Sequence, residues 1–377
     1  MQALGETETV PLLGAAGRVL AAAVSADRDY PPVARSIRDG YAVRAADLPG
    51  SFRVIGEVRA GMSFAGEVGP GECVEIMTGA PMPAGADAVV MVEHATLVDG
   101  VMSTERRQMS GDHWTPAGCD AKAGGGVLQA GVRLRFNHIA MLATVGQAEV
   151  VVYRQPRVAI LATGDEVVDI EADPAIEQVR NSNSYSVAAQ VLQAGGIPTV
   201  LPVAKDNLPD TRRLIAEGLE YDLLLLSGGV SAGKYDLVET VLAEYGAEFF
   251  FTRVRMQPGQ PLVFGQARGK FFFGLPGNPA STMVTFAAIA RLAVTRLGGE
   301  ADGAGAKWIS TLQGELRLKP GLTRFLPGEM RGSGVFPVPY SGSGDVPALA
   351  RANVFIVTDP NRDMYLPGEE IEVLPIA

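Results

Sequence analysis

Between residues 157 and 299 the chain alternates short apolar runs with longer amphipathic ones. RVAILAT (157–163) is apolar and β-rich and stops at Gly164. NSYSVAAQVLQAGG (183–196) has a helical period and closes on glycine. IPTVLPV (197–203) predicts a second strand, LPDTRRLIAEGLE (208–220) a helix, and DLLLL (222–226) a third strand. DLVETVLAEYG (236–246) predicts a helix with a glycine stop. FFFTRVRM (249–256), PLVFG (261–265) and KFFFGLP (270–276) predict strands, and residues 279–299 a long helix. Strand and helix signals in alternation predict a parallel sheet covered by helices on both faces, a three-layer α/β/α domain.

The pattern changes on either side. Residues 56–98 carry short strand-like runs broken by Gly and Pro, the signature of a small β-rich domain. Runs at 311–318, 354–357 and 370–374 predict a second one. Residues 298–305 are small and predict a linker. A length of 377 residues also favours several domains over one core.

Composition narrows the function. Hydrophobic residues make up 47% and charged residues 20%, as in soluble globular proteins. The net charge of −10, with no basic run longer than a pair, excludes a general nucleic-acid surface. The most apolar long stretch, 282–297, contains Arg291 and Arg296 and predicts a buried helix, not a membrane span. The opening MQALGETETV has no basic or apolar signal region, so the expected location is cytoplasmic. Cys73 and Cys119 form no disulfide framework, and His94, His113 and His138 show no zinc-ligand spacing.

Ligands of open α/β sheets bind beyond the carboxyl ends of the strands. The residues following each predicted strand are therefore the candidates. They are Thr163-Gly164-Asp165-Glu166, then Lys205-Asp206-Asn207, then Ser227-Gly228-Gly229-Val230-Ser231 with Asp236 close behind, and Pro276-Gly277-Asn278-Pro279. Glycines let backbone N–H groups approach a phosphate, and a helix N-terminus favours an anion. Carboxylates beside such a cradle repel phosphate unless a divalent cation lies between them, and Mg²⁺ suits oxygen ligands. One turn rich in Gly, Ser and Asp is ordinary turning and capping chemistry. Four in succession favour a ligand site. Residues 228–234 also match the GxxxxGK of a phosphate-binding loop. Tyr235, however, stands where that motif needs Ser or Thr.

Several stretches in order resemble the molybdopterin molybdenumtransferase family, to which the gephyrin E domain belongs. They are SIRDGYAV (36–43), IMTGAPMPAGADAVV (76–90), PAGCDAKAG (116–124), LATGDEV (161–167), LLSGGVSAGKYD (225–236), QPGQPLVFG (257–265) and GLPGNPAS (274–281). The resemblance implies a multidomain α/β protein. Residues 1–48 with 125–155 would form an N-terminal mixed, dimerising domain, and 49–124 an inserted β-rich domain. Residues 156–300 would form the molybdopterin-binding domain with a mostly parallel sheet, and 301–377 a β-barrel-like domain. It implies a homodimer whose cleft is lined by the α/β domain of one subunit and N-terminal regions of the other. It implies adenylyl-molybdopterin and molybdate as substrates, molybdenum cofactor and AMP as products, and Mg²⁺ as assisting ion. Molybdopterin adenylyltransferase and apo-molybdoenzymes are the implied protein partners.

By position the resemblance assigns Asp39, Thr78, Asp120, Glu166, Asp206 and Asp236 to catalysis, with Glu166, Asp206 and Asp236 holding the metal. It assigns Thr163, Gly164, Ser227, Gly228, Gly229, Ser231, Gln257, Gln260, Pro276, Gly277, Asn278 and Pro279 to substrate binding. The chain also departs from the family. Gln257 and Gln260 stand where its PGKP region carries lysines. In its GR-x-EF region Leu322 takes the arginine position and Arg324 the glutamate position. The stretch ahead of ETVPLLGAAGRVL is shorter than the family's leading helix, so a late start is expected. A charge-assisted hydrogen bond contributes about 1.5–3 kcal/mol against about 1 for a neutral one, so losing two weakens anion capture by up to about hundreds-fold unless Arg324, Lys234 or backbone amides substitute. Two readings follow: a transferase with an atypical anion pocket, or a divergent non-catalytic paralogue that binds the pterin nucleotide or finished cofactor for delivery.

Overall fold

The computed structural model describes residues 1–228, 237–301 and 307–376. They form two compact units: Met1–Ala21, Ala130–Arg135 and Val150–Ala377 make one, Ala22–Gln129 and Phe136–Glu149 the other.

The first unit is built on a six-stranded sheet in the order Ile197–Val200, Arg157–Ala162, Leu223–Ser227, Lys270–Leu275, Val263–Ala267, Glu248–Phe251. The first four strands run parallel. The last two are antiparallel, where strict alternation predicted a parallel sheet. The reason is local. Ala267 pairs with Lys270 across Arg268 and Gly269, both with positive φ (49° and 76°). A two-residue loop of that conformation makes a hairpin, whereas a parallel crossover needs a dozen residues or more.

Period-2 alternation decides the layers. Ala159, Leu161, Leu224 and Leu226 face Leu214 and Ile215 of helix Leu208–Gly218, and Val238, Val241 and Leu242 of helix Leu237–Glu244. Val158, Ile160, Leu223 and Leu225 face the other way. They meet Val187 and Val191 of helix Ser182–Gln193, and Phe286, Ala290 and Val294 of the long helix Pro279–Leu297. That long helix is apolar enough to span a membrane by length and composition, but 61% of its most apolar window is buried in the protein. It carries a π-helical turn at Phe286–Ala290.

A second sheet of this unit runs Met256–Gln257, Thr323–Arg331, Gly334–Pro337, Trp308–Leu312, Glu370–Pro375, Val354–Val357. It closes because Thr323–Arg331 also pairs with Val354–Val357. The single strand predicted for 249–256 is therefore split. Glu248–Phe251 edges the α/β sheet, while Met256–Gln257 runs parallel to Thr323–Arg324 in the second sheet.

The other unit holds a sheet ordered Ala88–Met91, Gly40–Val43, Glu72–Ile76, Gly50–Val58, Val101–Thr104, Thr96–Val98. Its residues alternate between two cores. Tyr41, Val43, Cys73 and Val90 fill one, and Ala42, Val74, Ile76 and Val89 the other. The β-rich region thus starts earlier and ends later than 56–98.

Candidate functional site

From strand Arg157–Ala162 the chain goes outward to Ile197–Val200, then crosses back to Leu223–Ser227. The direction of winding reverses between those two central strands, and a crevice forms at such a point. A cleft of ≈ 1090 Å³ opens there. Its walls include Thr163, Gly164, Glu166, Asp206, Ser227, Gly228, Pro276, Gly277, Asn278 and Pro279. The structure thus brings members of all four strand-end groups together, with Asp165, Lys205 and Asn207 outside the lining.

The floor is backbone packed on backbone. Thr163 N–H donates to Ser227 O (3.1 Å) and Gly228 N–H to Leu275 O (3.4 Å). Gly228 has φ 90°, and a Cβ there would lie 2.9 Å from Thr163 O. A Cβ on Gly164 would lie 2.6 Å from Glu166 Oε2. At Gly228 the obstacle is backbone, so no larger residue fits without displacing the floor, whereas at Gly164 it is the movable end of the Glu166 side chain.

The carboxylates differ in how they are held. Asp165 Oδ1 accepts from Asp206 N–H (3.1 Å), and Asp206 Oδ2 accepts more distantly from Asp165 N–H (3.4 Å). Asp165 is thus engaged in fixing the loop. Glu166 is exposed, and its carboxylate has no hydrogen-bond or ion-pair partner among the described residues. An unengaged carboxylate and a lightly engaged one on this wall are oxygen donors of the kind a hard divalent cation takes. Among the described residues no three acidic, His or Cys side chains converge as a metal site. The expected third ligand, Asp236, lies outside the described residues, as do Gly229 and Ser231.

Gln257 and Gln260 are exposed and are not in the cleft wall, although Pro261 is. Their loop packs on the long helix: a Cβ on Gly259 would strike Thr285 Cγ2 at 2.3 Å. Gln257 Oε1 accepts from the Arg324 guanidinium, whose Nε is buried without a partner among the described residues. Arg324 Nη2 donates to Lys319 O (3.0 Å). A cation therefore rests directly on one of the two glutamines.

Asp39, Thr78 and Asp120 belong to the other unit. Asp39 follows an exposed turn and precedes Gly40, where a Cβ would fall 1.9 Å from Val90 O. Asp39 Oδ1 accepts from Thr78 N–H (2.6 Å) and Thr78 Oγ1–H (2.8 Å). These two donors, the backbone one foremost, hold the Asp39 carboxyl below its ordinary value. Asp39 is thus charged throughout the neutral range. Thr78→Val keeps the N–H and removes the hydroxyl, and should move Asp39 back up toward its ordinary value. A carboxyl ¹³C titration reads this, and an unchanged midpoint would refute the hydroxyl's part. Asp120 lines a separate ≈ 690 Å³ cleft with Arg28, Tyr30, Arg35 and Lys122. Its carboxylate lies 3.6 Å from Arg35.

Sequence reasoning missed the polar segment Arg180–Asn183, which lines the first cleft. Asn181 caps helix Ser182–Gln193 by accepting from Ser184 N–H (3.1 Å). Asn183 Nδ2 donates to Ser227 Oγ (3.0 Å) and Gly277 O (2.7 Å). The run RNSNS ahead of an apolar helical period was a capping signal and also marked a site.

Comparison with known proteins covers the whole of this architecture. Residues 1–146 match a family profile described as the MoeA N-terminal region (domain I and II). Residues 159–296 match a probable molybdopterin binding domain, and 310–376 the MoeA C-terminal region (domain IV). The chain is 34% identical to the molybdopterin molybdenumtransferase of Bacillus subtilis, over 100% of this chain and 91% of the relative. It is 33% identical to that of Nostoc sp., over 98% and 89%. Two crystal structures of a molybdopterin biosynthesis MoeA protein from Pyrococcus horikoshii cover 100% of this chain and 96% of theirs. They give TM-scores of 0.75 at 30% identity and 0.81 at 26%. In sequence along its full length, and in the fold that builds the strand-end cleft, this chain belongs to the molybdopterin molybdenumtransferase (MoeA) family.

Proposed function

We propose that this protein transfers molybdenum from molybdate into adenylyl-molybdopterin, yielding the molybdenum cofactor and AMP. The observation that carries the reading is the cleft at the sheet's switch point, with close-packed glycine backbone on its floor and carboxylates on its wall. In this reading Gly164, Gly228 and Gly277 admit the phosphates to the backbone, with Thr163, Ser227 and Pro276–Pro279 shaping the pocket. Gly229 and Ser231, which follow in sequence, are proposed to bind the same phosphates. Glu166 and Asp206, with Asp236, would hold a Mg²⁺ ion that offsets charge as AMP departs. Asp39, Thr78 and Asp120 complete the proposed catalytic set. The proposed assembly is a cytoplasmic homodimer of four-part subunits, fed by a molybdopterin adenylyltransferase and supplying apo-molybdoenzymes. Light scattering of the purified protein tests the dimer.

The deciding experiment is metal insertion in vitro. Protein, adenylyl-molybdopterin and Mg²⁺ are titrated with molybdate, and AMP release and active cofactor are both followed. Molybdate-dependent formation of both products supports the transferase. Tight nucleotide binding without either product at any molybdate level would instead establish the non-catalytic paralogue.

Gln257 and Gln260 favour weak molybdate capture in either case. Restoring one cation with Gln257→Lys should lower the half-saturating molybdate concentration about tenfold, the difference between a neutral and a charge-assisted hydrogen bond. Arg324 already contacts this position, so repulsion opposes part of the gain. A half-saturation equal to or above wild type would show that Arg324 alone supplies the charge.

A further inference from the structure

Asn183 stands in the first turn of helix Ser182–Gln193, where it joins two loops distant in sequence. One Nδ2 hydrogen bond goes to Ser227 Oγ (3.0 Å), at the end of strand Leu223–Ser227. The other goes to Gly277 O (2.7 Å), just past strand Lys270–Leu275. Both donor positions of the amide are therefore used across the cleft floor, between neighbouring parallel strands. The remaining atom, Oδ1, is buried without a partner among the described residues. The helix does not need this side chain, because Asn181 already caps it.

We propose that Asn183 is a positioning residue that fixes the gap between the Ser227–Gly228 turn and the Gly277–Asn278 turn, and so sets the width of the phosphate cradle. Those turns already approach closely: a Cβ on Gly277 would lie 3.7 Å from Gly228 Cα. Without the amide, Ser227 Oγ and Gly277 O lose the donor they share, and the two turns are no longer tied through a common group. The naming of the ligand rests on the proposed function, but the coupling of the turns does not.

The chemistry supplies a graded series. Asn183→Leu keeps the shape and removes both bonds. Asn183→Asp keeps a link to Ser227, whose hydroxyl can donate to the carboxylate, but sets an acceptor against Gly277 O. The variants are compared with wild type by amide hydrogen exchange and by equilibrium binding of adenylyl-molybdopterin. The expected result for Asn183→Leu is exchange at the Gly228 amide faster by on the order of tenfold, with exchange inside the strands unchanged. Nucleotide affinity should fall by a similar factor, on the order of tenfold. Asn183→Asp should lie between, and carries the test if the leucine variant does not fold. Wild-type exchange and wild-type affinity in both variants, with only a lowered unfolding midpoint, would overturn the proposal and leave Asn183 a plain structural contact. Absence of nucleotide binding by wild type would instead count against the proposed function, and the exchange measurement would still decide whether Asn183 couples the turns.

Discussion

Glutamine in place of Glu166 should slow cofactor formation by about 10²–10³-fold, the scale of losing one preorganised electrostatic contact at a reacting group. The unfolding midpoint should not move. Glu166 is exposed and has no partner among the described residues, so its charge supports no contact among them. The substitution keeps the shape of the side chain, including its close approach to Gly164, and removes only the negative charge. If the carboxylate holds Mg²⁺, the variant should also need more Mg²⁺ for half-maximal AMP release. Asp206→Asn should have a smaller effect, because its neighbour Asp165 still fixes the loop through the Asp206 N–H. AMP release under single-turnover conditions across a Mg²⁺ titration separates these effects. A Glu166→Gln enzyme at wild-type rate and wild-type Mg²⁺ demand would remove Glu166 from the mechanism.

The opposite end of the same sheet carries the largest expected effect on stability. Asp222 immediately precedes strand Leu223–Ser227, and its side chain is 4% exposed. It accepts from Arg154 Nη1 (2.8 Å) and Nη2 (3.2 Å) and from Arg157 N–H (2.7 Å). Asp222→Ala strands a largely buried guanidinium and a backbone N–H. Breaking a buried pair costs about 3–5 kcal/mol. Arg154 keeps Glu6 and Gln155 O as partners, which places this case near the lower figure. Urea unfolding of the variant reads it directly, and a loss below about 1 kcal/mol would mean that the pair is no better than a surface one. The pH dependence has a definite sign. Burial alone would raise the Asp222 carboxyl, but Arg154 and the Arg157 N–H outweigh it and hold it below its ordinary value. Its stabilisation is therefore complete above the unfolded-state value of about 4 and is lost as pH falls through the folded-state value. Asp222→Asn should flatten this acid limb of the stability profile.

The strands, their ends and the layers were legible because each rests on a local pattern. Residues 223–226 are apolar on both faces because both faces are covered by helices, which is how a central parallel strand reads. The motifs at 163–166, 227–228 and 276–279 met in one cleft because the ends of adjacent parallel strands must. What was not legible depended on partners far along the chain. FFFTRVRM reads as one β-rich run, yet it divides because its end, Met256, pairs with Thr323 of strand Thr323–Arg331. No period within the segment records that. Asn183 looked like an ordinary residue of a helix start, and its two partners lie 44 and 94 residues away. The antiparallel hairpin was different: Arg268-Gly269 was a readable turn signal that the strand–helix rhythm overshadowed.

The division of the Phe249–Met256 segment also bears on how such proteins can recombine. Met256 packs in one core with Ala280 and Val284 of the long helix, with Phe325, Phe355 and Leu374 of the closed sheet, and with Leu349 of the short helix Val346–Arg351. The N–H of Ala280 donates to Ser343 O (2.9 Å). The recognisable family segments end at 296 and resume at 310, which invites a genetic joint between them. A chimaera joined there would match one parent's helix face to another parent's sheet, across a core where a single ill-fitting methylene is felt. A crossover upstream of Met256 would keep that core together but would part the long helix and strands Val263–Ala267 and Lys270–Leu275 from Val158, Ile160, Leu223 and Leu225, so inheritance of the α/β sheet and the closed sheet as one block is the arrangement this fold favours.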